Sequence, residues 1–265
     1  SRGYQKTCSC ATVVEQKDGK MTSRYCGHRW CLVCNRIRSA QCINKYEPIL
    51  KTWNDTQFVT LTVVNVPAND LLKTVIDMNK NFRRILDVMR KNNIPIKGIR
   101  KIEITYNSMT NTFHPHFHVL VEGKEAADML HAKWLKKNPT SKAIAQRVMG
   151  VDCDNVNVYK EMFKYMTKLF DKDKQGKYKE VNPIALDIIF RIMKGRRSMQ
   201  PFGFKAPIIE EEGAMELTES TDALRPGEKT TFVWCETDWF DMETGEALAN
   251  FRITRKIKRM LAETG

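Results

Sequence analysis

The run HPHFHVLV at residues 114–121 constrains this chain more than any other stretch. Side chains alternate faces along a β-strand, so His114, His116 and His118 line one face while Phe117, Val119 and Val121 line the other. The chain has only five histidines, and three stand in this row. Imidazoles on a half-buried sheet face have two readings. They are hydrogen-bonded core residues with no further duty, or they are metal ligands, the commonest specialised role of the side chain.

The preceding residues favour the second reading. GIRKIEITYN (98–107) alternates as a strand, and NSMTN turns the chain into the histidine strand, which makes a hairpin. Glu103 alternates in step with Thr105 and against Ile102 and Ile104, so the hairpin sets its carboxylate beside the histidine face. His116, His118, Glu103 and water describe an open octahedral site suited to Mn²⁺ or Mg²⁺ when a substrate supplies phosphate oxygens; a structural zinc is the rival. His114 is left open, as a fourth ligand or a substrate contact.

Six of the eight cysteines, at 8, 10, 26, 31, 34 and 42, crowd the first 42 residues. Within CGHRWCLVC, Cys26, Cys31 and Cys34 need one more thiolate from Cys8 or Cys10 to complete a tetrahedral structural zinc site, and His28 could replace one cysteine. A redox pair fits less well, because no thioredoxin-like strand–helix context follows Cys31-x-x-Cys34.

Charge points to the partner. Lys and Arg number 44 against 31 Asp and Glu, a net +13. Residues 207–265 hold 13 acidic and 7 basic residues, which leaves 37 basic and 18 acidic before them, net +19. A field of that sign favours a polyanion, most simply nucleic acid. No apolar run approaches the roughly 20 residues of a membrane span, and SRGYQKTCSC has no signal-peptide core, so a cytoplasmic protein without a membrane partner is expected.

Along the chain, strands are expected at 57–66, 98–107, 113–121 and 154–159, and helices from Asn69-Asp70 to about Arg90, at 125–137, 140–149, 159–170 and 183–194. That order suggests an antiparallel sheet with helices on one side. After 206 come an acidic linker, a strand pair around TTFVWCETDWF and ALANFRIT, and a basic helix RKIKRMLAE. The expected division is a Cys-rich unit at 1–45, a catalytic domain at 46–206 and an extension at 207–265.

In YKEMFKYMTKLF, Glu161, Tyr165 and Lys168 fall at i, i+4 and i+7 and share one helical stripe. Alone this is an ordinary charged surface helix. Beside a metal site in a basic body, the tyrosine hydroxyl becomes a candidate nucleophile for a phosphodiester, Lys168 a group that lowers its pKa or holds phosphate, and Glu161 a base for a later step.

FVTLT (58–62), HPHFHVLV (114–121) and YKEMFKYMTK (159–168) together resemble the three motifs of the HUH endonucleases, most closely the rolling-circle replication initiators of plasmids. CGHRWCLVC and KGRRSMQPFGFK resemble the opening and close of that branch, so the likeness runs over about 8–206. It implies an α+β fold: an RRM-like antiparallel sheet with helices, here with an N-terminal zinc-binding unit and a small C-terminal β-containing extension. It implies single-strand nicking and joining by Tyr165 through a 5′-phosphotyrosine, with Glu161 permitting termination by water. Single-stranded or hairpin DNA at a replication origin is the implied partner, with a host helicase left open. Tyr159 departs from the single-tyrosine pattern. A transposase of the same chemistry and a non-catalytic zinc-dependent nucleic-acid-binding protein are the alternatives.

Overall fold

Three adjacent antiparallel strands give the histidines their place. In the computed structural model, residues 2–17, 20–153, 156–163, 182–206, 229–235 and 238–243 are described. In chain order the elements are α1 (Arg2–Cys8), β1 (Val13–Lys17), β2 (Lys20–Ser23), α2 (Leu32–Leu50), β3 (Thr56–Thr62), α3 (Ala68–Lys91), β4 (Gly98–Asn107), β5 (Thr112–Glu122) and α4 (Lys124–Lys137). They continue as β6 (Arg147–Gly150), α5 (Val156–Phe163), α6 (Pro183–Met193), β7 (Met199–Phe202), β8 (Lys229–Cys235) and β9 (Asp238–Asp241). The chain forms two compact units, Asn35–Glu211 and Ser1–Cys34 with Glu212–Gly265.

The larger unit is built on a five-stranded antiparallel sheet in the order β6-β3-β5-β4-β7. β3, α3 and β4 make a crossover with β5 inserted between the two strands, and α4 then leads to β6 on the far edge. This is the split β-α-β arrangement of RRM-like folds, extended by β7. The alternation read from sequence is the alternation of the sheet. Val59, Leu61, Ile102, Ile104, Phe117, Val119 and Val121 pack one face against Leu71, Val75, Met78, Phe82, Ile85 and Met89 of α3, with α4 and α6 completing the core. α3 begins at Ala68 behind Pro67, one residue before the expected Asn69-Asp70 cap, and no side chain caps it.

Helices do not keep to one side. Phe58, Ile99 and Leu120 lie on the histidine face, and there they pack with Cys42, Tyr46 and Leu50 of α2 and with Met162 and Phe163 of α5. The Tyr46 and Phe163 rings stack at 5.4 Å. The apolar half of that face is therefore roofed and the imidazole half lies beside it. Gly98 permits the tight edge, because a Cβ there would collide with the Leu120 carbonyl and the Phe202 ring of β7.

Two local expectations change. Residues 140–149 are not a helix but a short 3₁₀ turn at Ala143–Ala145 and then the edge strand β6, which pairs Gln57–Thr60 with Arg147–Gly150. The cause is tertiary. The Gln146 side chain accepts from Thr62 N at 2.7 Å and donates to Thr62 Oγ1 at 2.8 Å, anchoring the segment on the open edge of β3. The strand expected at 154–159 is not found where the residues are described; α5 starts at Val156, so that Met162 and Phe163 reach the sheet.

The smaller unit has its own antiparallel sheet, β2-β1-β8-β9. Read linearly, the Cys-rich start and the extension after 206 are separate segments. In space β1 pairs with β8, Val14 opposite Phe232, and so joins them. Within TTFVWCETDWF the chain turns back on itself, TTFVWC pairing with DWFD; the expected partner ALANFRIT and the helix RKIKRMLAE lie outside the described residues. Among the described residues no helix is long and apolar enough to cross a membrane.

Candidate metal centres

The register of the hairpin assembles the first centre. Glu103 is opposite His116, Lys101 opposite His118 and Thr105 opposite His114, while Thr60 and Thr62 of β3 flank the histidines from the other side. The ligand atoms of Glu103, His116 and His118 all lie within 4.8 Å of one another. His116 Nε2 and His118 Nε2 are 3.1 Å apart, and His118 Nε2 is 3.5 Å from Glu103 Oε2. His116 Nδ1 lies 3.1 Å from the His114 carbonyl, to which it can donate, leaving the Nε2 lone pair facing the group. His118 Nδ1 is buried without a hydrogen-bond partner among the described residues, and its ring rests against Phe58.

His114 is placed elsewhere. Its Nδ1 is 2.6 Å from Asn65 Oδ1, outside the three-residue group. The strand presents a row, but only two of its imidazoles converge.

Electrostatics favour ligand-competent protonation. Burial opposes the Glu103 charge, yet His118, Lys101 and His116 outweigh it and hold the carboxyl well below the usual carboxylate range. Burial and the neighbouring His118 push His116 down to about 4, so it is neutral at physiological pH. Burial also lowers His114.

Lys101 went unnoticed in the sequence. It is almost fully buried, 3.3 Å from Glu103 Oε2, and it donates to the Glu161 backbone carbonyl at 3.2 Å. The signal was available, since Lys101 stands two residues before Glu103 and so shares its face. Lys101 thus bridges the ligand carboxylate and α5. Glu161 is half-buried on that helix; Tyr165 and Lys168 lie outside the described residues.

The second centre lies in the smaller unit, where Cys10, Cys26, Cys31 and Cys34 bring their sulfurs within 4.8 Å. Cys10 Sγ and Cys26 Sγ are 3.6 and 3.7 Å from Cys34 Sγ. Of the two upstream thiols left open by sequence, Cys10 joins the group. Cys8 is exposed at the end of α1, its thiol directed to the Tyr4 carbonyl, and His28 stacks on Trp30 outside the four sulfurs. Left-handed residues follow two of the ligands, Ala11 at φ 59 and Gly27 at φ 67, and turn the chain sharply there. The Cys26 N–H donates to Cys10 Sγ at 3.4 Å. Burial raises Cys10 and pushes Cys26 up to about 12. Burial also opposes the Cys31 anion, but hydrogen bonds from the Cys34 amide and the other three thiols outweigh it and lower that thiol. Four sulfurs drawn together without a disulfide need a cation to ionise as a set.

Residues 20–126 match the model of a family described as replication protein. A "Protein rep" of Streptococcus pneumoniae is 29% identical over 122 residues, 43% of this chain and 38% of that protein. A "Protein rep" of Staphylococcus aureus is 33% identical over 116 residues, 42% of this chain and 49% of its own length. A "Replication protein" of Staphylococcus aureus is 38% identical over 65 residues, 24% of this chain and 28% of that protein. The chain thus matches less than half the length of these curated relatives, and no solved structure matches it. The matched stretch holds Glu103, His116, His118 and three of the four grouped cysteines, and it ends before Glu161. Over residues 20–126, then, this chain is similar to the replication-protein family.

Proposed function

We propose that the chain initiates rolling-circle replication, of a plasmid, by nicking and rejoining single-stranded DNA at an origin. The observation that carries this reading is the convergence of Glu103, His116 and His118 on the central strands of an RRM-like sheet. Octahedral coordination at about 2.1 Å separates adjacent ligand atoms by about 3 Å, close to the 3.1 and 3.5 Å found here, so Mn²⁺ or Mg²⁺ fits the group. When bound, that ion supplies charge stabilisation to the non-bridging oxygens of the scissile phosphate. Four sulfurs at tetrahedral Zn–S lengths of about 2.3 Å would stand about 3.8 Å apart, which suits zinc at Cys10, Cys26, Cys31 and Cys34.

In this reading the Tyr165 oxygen attacks phosphorus, the P–O3′ bond breaks, and the phenolic proton leaves as the 3′ oxygen gains one. The 5′ phosphate remains on Tyr165, and Lys168 steadies it. Glu161 later deprotonates the water that ends the cycle. Lys101 holds α5 against the ligand carboxylate through its bond to the Glu161 carbonyl.

The test is covalent capture of labelled single-stranded origin DNA in the presence of Mn²⁺. Tyr165→Phe should bind the DNA and form no adduct, and Glu161→Ala should form adduct but release it poorly. Adduct formation by Tyr165→Phe together with its loss in Tyr159→Phe would transfer the role to Tyr159. No adduct in the unaltered protein would leave a non-catalytic DNA-binding protein.

A further inference from the structure

The opposite face of the same sheet holds a cluster that the nicking chemistry does not use. Arg100 precedes Lys101 in β4 and so points away from the histidines, into the core between β4, β7 and α3. Its guanidinium lies over the rings of Phe82 and Phe117, at 4.7 and 4.5 Å from their centroids. It is only 6% exposed, and its one hydrogen-bond partner among the described residues is the neutral Gln200 side chain. A buried cation normally has a carboxylate. Arg100 has none among the described residues.

Beside it opens a cavity of about 240 Å³, lined by Asn79, Phe82, Arg83, Arg100, Arg197 and Gln200 among others, with no acidic residue in its wall among the described residues. Arg83 and Arg197 are exposed at this cavity, and neither forms an ion pair among the described residues. Three guanidiniums thus surround one small space. Burial, and secondarily the charge of Arg83, push Arg100 down to about 9, so it stays cationic at neutral pH while repelled by its neighbour. An anion in the cavity would relieve both penalties at once.

We propose that Arg83, Arg100, Arg197 and Gln200 form a phosphate-binding site on the back of the sheet, separate from the Glu103–His116–His118 group. Guanidiniums present planar forks that match phosphate oxygens. The volume falls below the ~300–1,000 Å³ of pockets that enclose a drug-sized ligand, which suits one phosphate group with its ester substituents outside. Two sources supply that group: a backbone phosphate of bound DNA or a free phosphate compound. The DNA source rests on the replication reading, whereas the anion site does not.

The test uses the full chain and two probes. Calorimetric titration with inorganic pyrophosphate, without divalent metal, reads the site directly. Arg83→Gln with Arg197→Gln should weaken it roughly tenfold or more, as expected for lost hydrogen bonds to charged groups. Arg100→Lys, which keeps the charge but loses the fork, should weaken it as well. The surface pair decides the matter should the Arg100 variant fold poorly. Anisotropy with single-stranded DNA across a salt series separates the sources. Two lost backbone contacts should flatten the log–log salt slope by about 1.4, whereas an unchanged slope with weakened pyrophosphate assigns the site to free phosphate compounds. Unchanged pyrophosphate affinity in the double variant overturns the proposal. Covalent adduct formation is read separately with Mn²⁺, so a failure of the nicking chemistry leaves this result intact, and the reverse.

Discussion

At the scale of single residues, the first centre holds opposing charges in a nearly dry space. His116 is neutral and Glu103 anionic, with the Lys101 ammonium buried 3.3 Å from the carboxylate. In metal-free protein this sets a pH dependence. An ordinary histidine protonates near 6.5, whereas His116 in the fold resists protonation down to about 4. Between those values the unfolded chain takes up a proton that the folded chain refuses, so stability is full above about pH 6.5 and falls as pH drops toward 4. The loss should be on the order of 3 kcal/mol. Urea midpoints measured in EDTA across that range check it, and His116→Gln should flatten the curve. Lys101 supplies a second prediction. Lys101→Met leaves the buried Glu103 carboxylate without its cation, at a cost of about 3–5 kcal/mol in metal-free protein. Added Mn²⁺ should restore more stability to this variant than to the parent, because the ion replaces the missing charge. Equal Mn²⁺ effects in the two melting curves would show that Lys101 is electrostatically independent of the ligand group.

At the scale of elements, α5 couples core packing to the candidate chemistry. It carries Glu161, Met162 and Phe163, of which the last two are fully buried against the histidine face of the sheet. Met162→Ala should destabilise by about 2–5 kcal/mol. Adduct formation should fall further than metal affinity, since the ligands sit on β4 and β5 and not on α5. Parallel loss of Mn²⁺ binding, followed by calorimetry, would contradict that separation. The same helix shows where sequence reading loses its hold. VNVY alternates as a strand would, and its helical state depends on docking two residues that come later in the chain. SKAIAQRVMG is helical by composition, yet β3 has an open edge and Gln146 reaches it. Where a segment is short, the neighbour it finds outweighs its propensity.

At the scale of the whole molecule, the two centres differ in ligand hardness and so in how they release metal. Thiolates grip a soft or borderline ion, while two imidazoles and one carboxylate exchange a hard one. On the proposed function, mild EDTA should therefore abolish DNA nicking, and Mn²⁺ should restore it, with about one zinc per chain retained throughout. Elemental analysis of the untreated and EDTA-treated protein checks this; absence of zinc before treatment would remove the ion assigned to the cysteines. The net charge of +13 adds that DNA binding should weaken steeply with salt.

The sequence by itself determined whatever depends on short-range periodicity and donor chemistry. The alternation of 98–107 and 113–121, with a turn between, determines which residues share a face and hence that Glu103 meets His116. Clustered thiols near the start determine, in the same way, a group of sulfurs that could hold a metal ion. Only the tertiary structure decided which members of each set converge. His114 shares the row but is drawn to Asn65, and Cys8 shares the cluster but ends a helix pointing away. It also decided that β1 and β8, more than 200 residues apart, belong to one sheet, and that Arg100 and Lys101, adjacent in sequence, serve opposite faces with different partners, a neutral amide and a carboxylate. The reason is physical: periodicity specifies the direction of a side chain, whereas its partner depends on which distant surface the folded chain brings within a few ångströms.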